Sequence, residues 1–414
     1  MNPTRKPHYW WASLMLASAI SIGMALPASA ASDIRLLNNP SWTSPSLFTD
    51  KMDDALAVRA VDVHAIPSKS LVYVHTQQDI ANTTGNTQNN WYLDTIKGYS
   101  LTTGKPLWSY SLHESAGPYT LSTQIVYAPY GTAYIYAAYS DGTYKLLSLH
   151  SSGKLNWEKT LPASGSVTMM KDGSLLVTSN GNVNSEGIIR SSLSRFDTNG
   201  KLLNSQTVQG SILHAEGDRI LVAASKLTKN QNGWQMVSNP QMDVYGLELK
   251  RLYKYQFPAK SNIYGDGSDS MFVLKNGTVL VRANIDQTGN KLFAFDPSGK
   301  VLWGRVIPGD SITQSTGTGY ITYENKTLKL YNTTSGKAIA SATLEGDPAN
   351  YTSLDRTTDG NLMINMADRT YVLYPTNLSI VQTFDTNNLG TPYDYVDQTV
   401  YTVNDDMLNR YKLK

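Results

Sequence analysis

The chain contains 414 residues, of which 16% are charged and none is cysteine, and its formal net charge is +2. The lack of cysteine excludes disulfides, thiolate metal sites, a cysteine nucleophile and a lipid-modified N-terminal cysteine. The balanced charge argues against nucleic acid and anionic membrane surfaces as partners, because both usually require a basic face.

The first thirty residues have the features of a secretory signal. Arg5 and Lys6 precede an apolar run over residues 10–26, and Ala28-Ser29-Ala30 supplies small residues for cleavage. An uncleaved anchor is the alternative, but the run is shorter than the roughly 20 residues that a membrane helix needs. We therefore expect removal of residues 1–30. Residues 31–414 would then form one domain without a membrane span, secreted or associated with the cell envelope.

Five strand-like segments run into a Gly-Lys pair and continue as a second strand. The steps between the pairs are 49, 47, 99 and 37 residues, and the step of 99 spans two repeats. A β-type pattern at this period is typical of a propeller or similar array, which grows as one unit. The pairs are Gly104-Lys105, Gly153-Lys154, Gly200-Lys201, Gly299-Lys300 and Gly336-Lys337.

Each repeat divides into four short strands, which we name A to D in chain order. The turn from A to B often carries a dipeptide that tolerates positive φ, as in Asp172-Gly173, Asn276-Gly277 and Asp359-Gly360. The Gly-Lys pair forms the turn from C to D. Helical periodicity is absent from residues 31–414, so the sequence predicts an all-β fold.

The strand count predicts how the array closes. Eight C strands are followed by only seven D strands, because the chain ends just after the last C strand. Residues 41–47 have the pattern of a D strand without a C partner, so we expect them to complete the last blade. The sequence thus predicts an eight-bladed β-propeller of four-stranded antiparallel blades, closed by the N-terminal strand, with seven blades as the alternative. The C strands are centred near Ile96, Leu146, Leu193, Val244, Leu292, Leu328, Val372 and Arg410.

Tryptophan recurs at one position near the start of the D strand, and we expect it to be buried as a docking residue between blades. In the divergent repeats Tyr253, Asn204, Ala340 and Val381 take this position, and Asn377 takes that of the turn glycine. The expected docking residues are Trp42, Trp108, Trp157 and Trp303 with the turn glycines Gly104, Gly153 and Gly299.

Two of the segments that contain a Gly-Lys pair resemble the tryptophan-docking motif of the pyrroloquinoline-quinone-like (PQQ-like) repeat. They are Gly98-Tyr-Ser-Leu-Thr-Thr-Gly-Lys-Pro-Leu-Trp108 and Ala294-Phe-Asp-Pro-Ser-Gly-Lys-Val-Leu-Trp303. That repeat builds the eight-bladed propeller of the quinoprotein dehydrogenases and of the lipoprotein that assists outer-membrane β-barrel assembly. The resemblance covers nearly all of residues 31–414. It implies the fold more than an activity, because the motif is a packing device.

The resemblance would imply, for an enzyme, a quinone paired with calcium, often beside an adjacent-cysteine disulfide and a catalytic aspartate. This chain has no cysteine, and no residue maps onto that pocket, so we expect no cofactor. Asp266-Gly267-Ser268-Asp269 lacks the spacing and the later acidic ligand of a calcium loop and is expected to be a polar turn. Of the histidines, only His64 and His75 lie on paired strands, and we expect no metal site.

No catalytic residue is predicted. A Gly-x-Ser-x-Gly elbow opening a helix and a phosphate-binding glycine loop are both absent from the sequence. A carboxylate pair for glycoside hydrolysis stays open, because residues of different blades can converge on the axis.

Loop length predicts a binding face. In a propeller blade the B-to-C and D-to-A connections emerge on one face, which we call the loop face, and the tight turns emerge on the other, the hairpin face. The long connections, residues 77–91, 226–240, 113–119, 258–269 and 345–351, all belong to the loop face. Long polar loops on a rigid scaffold often carry binding residues. The expected binding residues are Trp91, Tyr119, Trp234, Tyr264, Tyr351 and Tyr393.

Two classes of function follow from the sequence. The first is a non-catalytic, monomeric scaffold that binds an envelope or extracellular protein or a cell-wall glycan through these aromatic residues. The second is an enzyme, either quinone-dependent or acting on polysaccharide.

Overall fold

The computed structural model describes residues 39–49, 51–52, 55–81, 91–113, 117–224, 227–230, 233–236, 240–259, 261–263, 271–285, 289–307, 312–324, 326–345, 351–386 and 389–413. The expected signal segment, residues 1–30, lies outside these ranges. Within them the regular structure is β-strand, apart from one turn of 3-10 helix at Pro67–Lys69. The chain is therefore all-β, as the sequence predicts.

The first half of the chain contains β1 (Trp42–Ser46) and four sheets. Sheet 1 contains β2 (Ala55–Ile66), β3 (Leu71–Ile80), β4 (Trp91–Ser100) and β5 (Pro106–Ser111). Sheet 2 contains β6 (Thr120–Tyr127), β7 (Ala133–Tyr139), β8 (Tyr144–Leu149) and β9 (Leu155–Leu161). A single residue pair, Tyr92 with Thr120, joins these two sheets. Sheet 3 contains β10 (Ser166–Met169), β11 (Leu175–Ser179), β12 (Arg190–Phe196) and β13 (Leu202–Gln209). Sheet 4 contains β14 (Ser211–Glu216), β15 (Arg219–Ala223), β18 (Gln241–Tyr245) and β19 (Arg251–Gln256), and a separate hairpin of β16 (Leu227–Asn230) and β17 (Gly233–Met236) connects β15 to β18.

The second half of the chain contains three further sheets and a terminal sheet that includes both ends of the described chain. Sheet 5 contains β20 (Ser261–Asn262), β21 (Met271–Val273), β22 (Val279–Ile285), β23 (Gly289–Phe295) and β24 (Val301–Val306), with β20 and β21 both paired to β22. Sheet 6 contains β25 (Ile312–Ser315), β26 (Tyr320–Glu324), β27 (Thr327–Tyr331) and β28 (Ala338–Thr343), and sheet 7 contains β29 (Tyr351–Arg356), β30 (Leu362–Met366), β31 (Arg369–Leu373) and β32 (Ile380–Asp385). The terminal sheet contains β33 (Thr391–Val396), β34 (Thr399–Asn404), β35 (Met407–Lys412) and β1.

Neighbouring sheets pack face to face around shared apolar cores. Between sheets 4 and 5, for example, Leu221 and Met242 share a core with Val281 and Phe293. The central strands are covered on both faces, and every residue of β7 and of β30 is buried. The outer strand β5 alternates between exposed and half-buried residues instead. This succession of packed four-stranded antiparallel sheets is a β-propeller.

The A-to-B turns have the backbone geometry that their dipeptides favour. Gly173, Gly277 and Gly360 have φ values of 81°, 81° and 83°. In the first of these turns the Asp172 carboxylate accepts a hydrogen bond from the Ser174 amide at 3.1 Å. Local turn chemistry therefore sets the hairpin register between the inner strands of these three sheets.

A β-bulge interrupts the D strand in each of sheets 1 to 7 just before the tryptophan position. In sheet 1, Pro106 lies opposite Tyr99 and Trp108 opposite Gly98, so Leu107 is the extra residue. The bulge turns the following side chain toward the next sheet. There each indole nitrogen donates a hydrogen bond to a carbonyl of a C-to-D turn. The pairs are Trp42 to Leu101 at 3.1 Å, Trp108 to Ser151 at 3.0 Å, Trp157 to Thr198 at 2.9 Å and Trp303 to Thr333 at 2.7 Å.

The turn glycines are required both by backbone geometry and by the neighbouring ring. Gly153 has a φ of 79°, and a Cβ atom added there would lie 2.5 Å from the ring of Trp108. The tryptophans are half-buried rather than buried, because an outer strand leaves the far side of the ring to solvent. Similar ring contacts occur at Gly104 with Trp42, Gly200 with Trp157, Gly299 with Tyr253 and Gly336 with Trp303.

Two C-to-D turns carry leucine instead of glycine, and in each case the preceding sheet has no aromatic ring at its tryptophan position. Leu249 and Leu378 have φ values of 57° and 59° and are fully buried. Asn204 occupies the tryptophan position facing Leu249 and donates to the Glu248 carbonyl at 3.0 Å. Ala340 occupies the tryptophan position before Leu378 and packs against the same core. In these two places a buried leucine therefore takes the turn position at which glycine faces an aromatic ring in other turns.

Leu378 also corrects the prediction for sheet 7, which placed Asn377 at the turn glycine and Val381 at the tryptophan. Val372 lies opposite Gln382, so Val381 is the bulged residue and Gln382 takes the tryptophan position. The prediction relied on the tolerance of asparagine for left-handed backbone. Asn377 instead supports the turn with its side chain, which accepts from the Ser379 amide at 2.9 Å.

The terminal sheet joins the two ends of the described chain. Strand β1 pairs antiparallel with β35, with Trp42 opposite Arg410 and Ser46 opposite Met407. Leu408 of this sheet shares an apolar core with Val63 of sheet 1.

Candidate functional site on the loop face

A stack of three rings stands on the loop face between sheets 1 and 2. Trp91 begins β4, and Tyr119 directly precedes β6. Their ring centroids are 5.0 Å apart at an interplanar angle of 15°, and His113 stacks on Tyr119 at 4.8 Å and 5°. His113 Nδ1 contacts the Pro118 carbonyl at 3.2 Å, which fixes its ring. Two of the expected binding residues therefore form one ordered, half-buried aromatic surface.

Two of the other expected binding residues, Trp234 and Tyr393, lie on strands outside sheets 1 and 2. Trp234 lies in β17 opposite Lys229, in a hairpin where the sequence predicted a long loop. The Leu227 amide of this hairpin donates to the Gly187 carbonyl at 2.7 Å. Tyr351 begins β29, but its side chain and the whole of Tyr264 lie outside the described residues, as do residues 266–269.

Tyr393 lines a cleft of about 750 Å³ where sheet 7, the terminal sheet and sheet 1 meet. Its hydroxyl donates to the Ala60 carbonyl at 2.8 Å, so the residue also ties the terminal sheet to sheet 1. Part of the cleft wall is apolar and comes from Val58, Met366 and Val403. Arg59 lines the same cleft.

Arg59 is half exposed and is held by sheet 1. Its Nη1 lies 3.3 Å from Asp79 Oδ2, and its Nη2 donates to Gln77 Oε1. The guanidinium also lies 5.8 Å from the ring centre of Tyr92, within the range of a cation–π contact. Arg59 thus stands between the cleft and the part of β4 that carries Trp91.

A row of polar residues leads from Arg59 into the interior. Arg59, Gln77 and Asp94 lie directly opposite one another on β2, β3 and β4. Gln77 Nε2 donates to Asp94 Oδ1 at 3.0 Å. The same oxygen accepts from His75 Nε2 at 2.6 Å, and Asp94 Oδ2 accepts from Thr123 at 2.8 Å. Thr120 Oγ1 also donates to Asp94, so the carboxylate links sheets 1 and 2.

The network around Asp94 is buried and fully hydrogen-bonded at its carboxylate. Burial raises the pKa of Asp94, but the hydrogen bond and charge of His75 and the hydroxyls of Thr120 and Thr123 outweigh it and hold the pKa below its ordinary value. A carboxylate, an imidazole and a hydroxyl are the components of a nucleophilic triad. Asp94 is 0% exposed and His75 is 3% exposed, so a substrate has no access to them.

A second buried carboxylate, that of Asp394 in the terminal sheet, joins three sheets. Asp394 accepts from the Ala65 amide of sheet 1 at 3.0 Å, and from the amide and hydroxyl of Thr358 of sheet 7 at 2.9 and 2.6 Å. Burial raises the pKa of Asp394 above its ordinary value, although the hydrogen bonds of Thr358 and Ala65 oppose the shift. His64 does not join His75 in a metal pair. It stacks on Tyr127 at 4.5 Å instead.

The described residues contain no group of three or more histidine, aspartate or glutamate side chains arranged to hold a metal ion. Across these same ranges, no helix has the length and apolar character required to cross a bilayer.

Sequence reasoning missed the row of Arg59, Gln77 and Asp94. A signal was present in β3, where polar residues from His75 to Asp79 replace the apolar residues of other B strands. A buried polar run of this kind must find hydrogen-bond partners, so it points to a network in the neighbouring strands.

The fold and the docking contacts define the class of protein, a β-propeller built from PQQ-like repeats. A family model described as outer membrane protein assembly factor BamB matches residues 93–316, more than half of the chain. The chain belongs to this family. A search of curated proteins gave no match.

The chain also aligns with solved structures at low sequence identity. Sqt1 from Chaetomium thermophilum is 10% identical with a TM-score of 0.48, and the alignment covers 88% of this chain and 100% of that one. The β-propeller domain of the trilobed protease from Pyrococcus furiosus is 12% identical with a TM-score of 0.41, with coverage of 86% and 95%.

Proposed function

We propose that the chain is an exported, non-catalytic propeller that binds a partner protein at the cell envelope through its loop face. The observation that carries this proposal is the ordered stack of Trp91, Tyr119 and His113. Membership of a family described as an assembly factor supports a protein as the partner.

The physical argument is one of preorganisation. Large aromatic side chains supply much of the binding energy at protein interfaces, and rings that are already held lose little conformational entropy on binding. The stack is fixed by ring contacts and by the bond of His113 to Pro118, so its geometry precedes any partner.

The proposal includes a closed ring of eight blades rather than seven, acting as a monomer after loss of residues 1–30. The pairing of β1 with β35 and the docking of Trp42 on Gly104 support it. Deletion of residues 31–48 should then lower the melting temperature of the whole domain, because it leaves the edge of β35 unpaired and removes the contact of Trp42 with Gly104. An unchanged melting temperature would argue against closure.

Capture from an envelope fraction of the producing organism tests the binding proposal. Trp91→Ala and Tyr119→Ala should each reduce the captured partner about fivefold or more, the effect of losing about 1 kcal/mol. Tyr374→Ala is the matched control, because Tyr374 is an aromatic residue, 49% exposed, on the hairpin face. Equal losses in all three variants would contradict the proposal, as would capture of a glycan alone.

The enzyme alternative has a separate test. A quinone-type absorption band in the purified protein, or turnover of a polysaccharide without a partner, would replace the scaffold proposal.

A further inference from the structure

We propose that Arg59 is the recognition residue of the loop-face cleft, and that the partner inserts an acidic side chain flanked by apolar residues. This inference rests on the proposed function, because it names the chemistry of the partner segment at the same face. It adds a charged contact to the aromatic surface around Trp91.

The guanidinium of Arg59 has more N–H donors than its contacts with described residues use. An arginine side chain carries five N–H groups in a planar fork that matches a carboxylate. Among the described residues, Asp79 and Gln77 engage one nitrogen each, and the Asp79 contact is long at 3.3 Å. The side chain is 50% exposed, so the remaining donors face solvent at the cleft.

The buried network determines how Arg59 is held. Asp94 can only accept hydrogen bonds when it is ionised, so it fixes the amide of Gln77 with the nitrogen turned inward. The amide oxygen of Gln77 must then point outward, where it accepts from Arg59. His75 and Thr123 hold Asp94 in turn. A guanidinium positioned in advance loses less freedom when it binds a carboxylate.

The cleft wall combines apolar and polar residues, as a peptide segment with mixed side chains requires. Val58 and the largely buried Met366 and Val403 supply the apolar part, and Ser353 and Thr386 supply polar groups. The description of the family as an assembly factor favours a peptide as the occupant. Asp405 also lines the cleft, but it lies in an exposed turn where water and salt screen its charge.

The test uses two peptides of seven residues that differ only at the centre, one with glutamate and one with glutamine, both flanked by leucine and valine. Each carries an N-terminal fluorophore and a C-terminal amide, and binding to the full protein is measured by anisotropy. The glutamate peptide should bind about tenfold more tightly at low salt, as a charge-assisted contact implies. Equal binding of the two peptides by the unmodified protein would overturn the inference without any variant.

Variants assign the preference to Arg59. Arg59→Gln should abolish it, and Arg59→Lys should retain part of it, because lysine keeps the charge but not the fork. Gln77→Met should reduce the preference if Gln77 positions Arg59. The urea midpoint of each variant checks folding. A preference that survives in Arg59→Gln would refute the assignment.

The two proposals fail in different ways. If Trp91→Ala weakens capture of the envelope partner while Arg59→Gln weakens neither capture nor peptide preference, the scaffold stands and the acidic-segment inference falls. If fragments of polygalacturonate bind in an Arg59-dependent manner and the glutamate peptide does not bind, the peptide assignment is wrong.

Discussion

The docking of Trp108 on the turn at Gly153 gives a prediction that isolates one contact. Gly153 and Gly173 have almost the same backbone, with φ values of 79° and 81°. A Cβ atom at Gly153 would lie 2.5 Å from the Trp108 ring, whereas one at Gly173 would have no neighbour within 4 Å. Gly153→Ala and Gly173→Ala therefore introduce the same backbone strain, but only Gly153→Ala also displaces the ring of Trp108.

The expected magnitudes follow from that difference. A non-glycine residue in the left-handed region costs about 1–2 kcal/mol, so Gly173→Ala should destabilise by this amount. In Gly153→Ala the ring must also move to reach an ordinary contact distance of about 3.5 Å. It then loses packing and its bond to the Ser151 carbonyl, so the variant should cost about 2 kcal/mol more than Gly173→Ala.

Urea unfolding of the purified variants measures both costs. Trp108→Ala alone should cost up to about 3 kcal/mol, the lower end of the range for a large-to-small change, because the ring is half-buried. In that background Gly153→Ala should cost only the backbone strain of about 1–2 kcal/mol, because the ring is gone. Equal destabilisation by the two glycine variants would refute the docking argument. So would a Gly153→Ala cost that is unchanged when Trp108 is absent.

Two further predictions concern the leucine turn and the buried carboxylate. Leu249→Gly should lower the free energy of unfolding by about 2–5 kcal/mol, and Asn204→Trp should also lower it. In the double variant the loss of stability, measured from urea midpoints, should be clearly smaller than the sum of the two single losses. Additive losses would show that ring and leucine do not share one space. The lowered pKa of Asp94 stabilises the fold above the ordinary value of 3.8, and this contribution is lost as pH falls through the folded-state pKa. Asp94→Asn should therefore lose less stability than the unmodified protein when the pH is lowered from about 5 to about 2, measured by urea unfolding at each pH. An equal loss in both proteins would contradict this prediction.

The sequence by itself determined the repeat and its turns. The Gly-Lys pairs and the Asp-Gly and Asn-Gly dipeptides act through local backbone geometry, so their positions are visible without the fold. The predicted C-strand centres near Ile96, Leu292 and Val372 each lie in an observed strand, because locally determined turns bound these strands. Packing of apolar strands on both faces follows from their composition.

The tertiary structure alone decided which side chains meet across strands and sheets. The bulge that places Gln382 rather than Val381 at the docking position depends on pairing with β31, which the local sequence does not specify. The row from Arg59 through Gln77 to Asp94 depends on the register of three strands, and a shift of one residue would turn these side chains to the other face. The candidate site follows from that register, because hydrogen bonds and burial depend on where distant segments come together.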